Sequence, residues 1–190
     1  MSPEYPTRKS PHMLHASDAS NITRFAVTPE EKARAEQETV IAVDAVAGQI
    51  ADDDKRYAEL QGLALDFARR GSSLELDRMI AAGLPSNLRD GKGQSLLMLA
   101  AYHGHADTVD TLLKRGAAPD LRNDRGQTPL GGAAFKGHDA VVRLLLDAGA
   151  DAKADQGLGV TATMYATMFG RFSTARIIRD HIAATRSKSA

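Results

Sequence analysis

The chain has 190 residues, with 24 Lys or Arg against 24 Asp or Glu and no cysteine. Disulfides and thiolate metal sites are therefore excluded, and no apolar run reaches the roughly 18 residues that a membrane-crossing helix needs. The zero net charge hides an asymmetry: residues 29–54 carry eight acids and two bases, whereas residues 55–190 carry 19 bases and 14 acids.

Residues 1–28 contain Pro3, Pro6 and Pro11 among Ser, Asn and Thr, with no apolar period and no basic start, apolar core and cleavage site of a secretory signal. The reading predicts a disordered segment on a soluble, cytoplasmic protein. His12 and His15 could in principle hold a metal, but a flexible tail offers no partners to orient such ligands.

At Thr28-Pro29-Glu30-Glu31 a helix starts: Thr28 can cap, Pro29 suits the first helical position, and Glu31 completes a capping box. Val40, Val43, Ala47 and Ile50 fall on one stripe, so the predicted acidic helix over 29–54 must pack one face on something. It either covers the open end of the domain that begins at residue 55 or docks another protein, and the sequence favours the cover. Asp52-Asp53-Asp54 reads as a solvated turn, since three adjacent carboxylates do not converge on one cation.

From residue 55 the chain repeats itself. Gly93-Gln-Ser-Leu-Leu-Met-Leu-Ala-Ala-Tyr-His-Gly-His aligns without a gap onto Gly126-Gln-Thr-Pro-Leu-Gly-Gly-Ala-Ala-Phe-Lys-Gly-His, and Val109, Leu112 and Leu113 onto Val142, Leu145 and Leu146, at an offset of 33 residues. Backwards, Gly71, Leu76, Met79, Ile80 and Gly83 match Gly104, Val109, Leu112, Leu113 and Gly116. Forwards, Gly159, Thr161, Ala166, Gly170, Ile177 and Ile178 match Gly126, Thr128, Ala133, Gly137, Leu144 and Leu145. A fixed period of this length marks a stacked solenoid whose terminal copies lose consensus. Residues 184–190 read as a flexible tail.

The turn, the Gln-Thr-Pro-Leu helix, the Gly-His corner, the Leu-rich second helix and the closing Gly-Ala resemble the ankyrin repeat. The resemblance implies an all-α ankyrin repeat solenoid of about four helix-turn-helix repeats over 55–183, with the extra N-terminal helix. It also implies a non-enzymatic protein-binding module, monomeric and without cofactor. The chain departs from the pattern where the His of Thr-Pro-Leu-His should stand, having Met98, Gly131 and Met164. Gly131-Gly132 puts two weak helix formers in an inner helix, which predicts marginal stability there, and packing is the favoured reason for them.

In the family, contacts come from turn tips and from the ends of the inner helices. Carried onto this chain, the partner-binding positions are Arg69, Arg70, Arg89, Lys92, Tyr102, His103, Arg122, Asp124, Arg125, Phe135, Lys136, Asp155, Leu158, Met168 and Phe169. Seven cations against two acids predict an acidic partner surface, with Tyr102, Phe135 and Phe169 supplying apolar contact. The acidic segment 29–54 could compete for that face. The alternative is a metal- or ligand-binding protein or enzyme using His103, His105 and His138, but no Cys or clustered carboxylate completes a ligand set. Gly91-Lys92-Gly93 and Gly157-Leu158-Gly159 lack the strand and spacing of a phosphate loop. Nucleic-acid binding rests on the basic domain alone, and no nucleophile stands out among the serines.

Overall fold

The computed structural model describes residues 54–188. The segment predicted to be disordered and the acidic helix up to residue 53 lie outside the described residues. Within them the chain forms four helical hairpins: α1 (Asp54–Arg70) and α2 (Ser73–Ala81), α3 (Leu96–His103) and α4 (Ala106–Lys114), α5 (Pro129–Lys136) and α6 (Asp139–Asp147), α7 (Ala162–Met168) and α8 (Phe172–Lys188). Among the described residues there is no strand, only isolated bridging pairs such as Arg89 with Ser95 at the turns. No helix described is long and apolar enough to cross a membrane.

After α1, the inner helices α3, α5 and α7 are cut to seven or eight residues by local chemistry. Ser95, Thr128 and Thr161 each cap one, their hydroxyls accepting from the N–H of Met98, Gly131 and Met164 at 3.1, 3.3 and 3.3 Å. A cap of this kind contributes about 1 kcal/mol. Gly104 and Gly137 stop α3 and α5 in the left-handed region, at φ 82° and 84°, where a side chain would be strained. Between hairpins the turns are held by side chains: Asp90 Oδ1 accepts from the N–H of Lys92 and Gln94, and Asn123 Oδ1 from those of Arg125 and Gln127.

Inner helices α1, α3, α5 and α7 pack in sequence, and outer helices α2, α4, α6 and α8 do the same beside them. Ala100, Ala101, Ala133, Ala134 and Ala166 are fully buried, because only a methyl group fits where adjacent inner helices meet. Leu76, Val109, Leu112, Val142, Leu145 and Ile178 fill the continuous layer between the helix rows. Removing one such leucine to alanine typically costs about 2–5 kcal/mol. On the outer row, Arg115 donates twice to Asp77, at 2.6 and 2.9 Å, tying the second hairpin to the first.

One boundary differs from the sequence reading. Helix α8 runs 17 residues to Lys188, through part of the stretch 184–190 assigned to a flexible tail. Gly83, Gly116 and Gly149 end the earlier outer helices, but the equivalent residue is Ile182, which packs against the core, so nothing stops the helix.

Candidate interaction surface

The positions singled out from the sequence fall into two rows. Along the turns, the arginines are fasteners. Arg89 donates from Nε to the carbonyl of Gly93 at 2.9 Å and from Nη2 to that of Arg122 at 2.8 Å. Arg122 repeats the pattern one repeat later, donating to the carbonyls of Gly126 and Asp155. Asp124 lies 3.7 Å from Arg89, and Arg69 pairs with Asp66 at 2.9 Å and with Asp90 at 3.6 Å. Much of the predicted cationic display therefore closes joints between repeats. Arg70, Lys92 and Arg125 remain exposed.

At the ends of the inner helices the predicted residues converge. The Tyr102 and Phe135 rings stack with centroids 6.3 Å apart and an interplanar angle of 12°. Phe169 meets Phe135 edge-on at 4.4 Å, and Tyr165 does so at 6.3 Å. Lys136 holds its Nζ 4.7 Å from the Tyr102 ring centre, and His103 packs edge-on to Tyr102 at 5.4 Å. The row is open to solvent: Tyr102 is 38 %, Phe169 47 % and Met168 68 % exposed. Burial, followed by the neighbouring His105, Lys136, Arg69 and His138, holds the His103 imidazole below its ordinary pKa. Lys136 and Arg69 are permanent cations among those neighbours, so the potential beside the row is positive.

His105 and His138 have a different job. Their Nε2 atoms lie 2.8 Å from the Arg69 carbonyl and 3.2 Å from the Tyr102 carbonyl, each reaching back to the preceding repeat. A bond to a carbonyl places the ring proton on Nε2. The rings lie over Gly71 and Gly104, where an added Cβ would sit 2.6 and 2.7 Å from them. Arg171 takes the third place in this series, over Gly137.

Sequence reasoning missed Tyr165 and Gln156. Gln156 is fully buried, its Oε1 accepting from the Thr128 N–H at 2.8 Å and the Thr128 hydroxyl at 3.0 Å. Its carboxamide lies over Gly131, where a Cβ would come within 2.0 Å of Oε1. The one signal available was positional: residue 156 stands where Asp90 and Asn123 stand, and a Gln there is too long to clasp its own turn. That turn runs instead through Gly157-Leu158-Gly159, closed by the Gln156 N–H on the Val160 carbonyl at 2.7 Å, with Leu158 at φ 59° and wholly exposed.

The family model for ankyrin repeats in three copies matches residues 67–156 and again 97–188, together well over half the chain. The chain belongs to the ankyrin repeat family. Ankyrin repeats are in general protein–protein interaction modules. An ankyrin repeat protein of Pseudomonas aeruginosa is 53 % identical over 50 residues, 26 % of this chain and 29 % of the relative. The match thus spans less than a third of that relative's length.

Proposed function

We propose that this ankyrin repeat stack is a non-enzymatic module that binds another protein through the Tyr102–Phe135–Phe169 row, and that the partner's surface there is acidic. The observation that carries the reading is the row itself: Tyr102, Tyr165 and Phe169 each pack on the half-buried Phe135 across three repeats, with Tyr102 and Phe169 open to solvent and Lys136 and His103 beside them. Solvated aromatic rings held rigidly by stacking lose little entropy on binding, which is why such residues dominate interface energetics. The cations around them favour an acidic surface and speed its approach.

The test starts by replacing Phe135 with a photo-crosslinking amino acid in the native cell and identifying the captured protein. Binding of that protein to purified variants then decides. Phe135→Ala should weaken it by about 30-fold or more, mainly through faster dissociation. Arg70→Glu with Arg125→Glu should slow association and leave the helical signal intact. Arg89 and Arg122 are unsuitable for reversal because their loss would open the turns. Unchanged binding in both variants would sink the proposal.

A further inference from the structure

We infer that the far end of the stack, on the fourth repeat, is a second docking surface, and that its occupant is an acidic segment carrying bulky apolar side chains. At one place the fourth repeat leaves uncovered what the earlier repeats bury. Met98 is 4 % exposed, and Gly131 at the same place in the third repeat is sealed by Gln156. Met164, next in that series, is 48 % exposed. Met168 follows one turn later at 68 %, and Phe172 four residues on, across the Gly170 corner, at 69 %. Phe172 stands where the two preceding repeats have Ala106 and Asp139. A repeat that merely ended the stack would turn a polar face outward. Scattered apolar residues on a surface are ordinary, whereas three bulky ones exposed within nine residues around one corner are a concentration of the kind that marks an interface.

The surroundings say what fits. On α8, Phe172, Arg176, Arg179, Ala183 and Arg186 share one face by helical spacing. The stripe leads into a shallow groove lined by Arg179, Ile182, Ala183, Arg186 and Ser187. From residue 171 to residue 188 the chain carries five bases and one acid, and that acid, Asp180, lies 3.9 Å from Arg176. A second copy would bring this cationic face against itself, so charge argues against self-association. Apolar anchors one turn apart, flanked by arginines, suit the apolar stripe of an acidic amphipathic helix, and methionine adapts to such a stripe readily. Met168 stands where the aromatic row has Tyr102 and Phe135, so the two surfaces meet there, and Met164, Phe172 and the arginines of α8 are what the second one adds.

The test uses the full chain with 13C-labelled methionine methyl groups. The probe is a synthetic helix of about five turns, with leucine along one stripe and glutamate elsewhere. Control peptides carry lysine in place of glutamate, or serine in place of leucine. The Met164 and Met168 methyl signals should shift with the acidic peptide while that of buried Met98 stays still. Arg179→Glu with Arg186→Glu, and separately Met164→Gln with Phe172→Gln, should each weaken binding about tenfold or more, with circular dichroism unchanged because all four side chains are exposed. Phe135→Ala should leave these shifts as they are. The inference is overturned if the signals do not move, if the lysine peptide binds equally well, or if Phe135→Ala abolishes the shifts. It is also overturned if the shifts track protein concentration alone with a doubled mass, which would make the occupant a second copy. Shielding of the Met164 methyl from a soluble paramagnetic agent in the free monomer would show that the chain covers this face itself, and would equally end the proposal.

Discussion

Gly131 and Gly132 are neighbours in α5, yet a methyl group added to each should act in opposite directions. At Gly132 the new Cβ meets Tyr102 at 3.7 Å, an ordinary contact, so Gly132→Ala gains helix propensity and should stabilise the chain by about 1 kcal/mol. At Gly131 it would displace the buried Gln156 carboxamide and strand the Thr128 donors. Gly131→Ala should therefore cost about 1–3 kcal/mol despite the same gain in propensity. Urea denaturation of the two variants checks both signs. His103 offers a second test at this scale. Burial and cationic neighbours lower its folded pKa, so its contribution to stability is complete above the unfolded value near 6.5 and declines as the pH falls below that value. An NMR titration should find its midpoint below that of a free imidazole, and Lys136→Gln should move the midpoint upward.

Helix α6 is joined to α8 through one carboxylate. Burial would raise the pKa of Asp139, but the hydroxyls of Ser173 and Thr174, together with Arg143, outweigh it and hold the carboxyl below the usual range. The contribution is present above the unfolded value near 3.9 and is lost as the pH falls through the lower folded value. Asp139→Asn should remove on the order of 1–2 kcal/mol at neutral pH and flatten the acid limb of stability measured by denaturant midpoints. Much of this organisation could be read in the sequence because helix caps, closing glycines and the Gly-His corner recur at fixed offset, and each is a local device. What stayed hidden was of another kind. The acceptors of Arg89 and Arg122 are main-chain carbonyls, which leave no mark on residue identity, so the arginines looked like free surface charge. Gly131 and Gln156 each look like a defect alone, and only contact between repeats shows that one makes room for the other. The length of α8 was legible in principle, from Ile182 standing in a glycine column, but a missing signal is easier to overlook than one that is present.

At the scale of the whole molecule, joints are closed from two directions, and the one between the second and third repeats from both at once. Turn arginines reach forward to the next repeat, from Arg89 to Arg122 and from Arg122 to Asp155, while corner histidines reach back, from His105 to Arg69 and from His138 to Tyr102. Stability in such an array is nearly a sum over neighbours, so lengthening it should raise the total if each joint is sound. Duplicating Gly93–Arg125 in tandem adds one period at the joint between the second and third repeats. The product should fold and show a higher denaturant midpoint than the parent. Shifting the insertion so that Gly131 no longer faces Gln156 should lower it instead. The fasteners at the interchangeable joints grip main-chain oxygen, an atom that every residue type supplies. The third and fourth repeats share such a bond, from Arg122 to Asp155, but also recognise each other through a glycine and a glutamine that must change together. The array is therefore editable in its middle and keyed at its far end: copies can be gained or lost upstream, while the last repeat travels only with the one that precedes it.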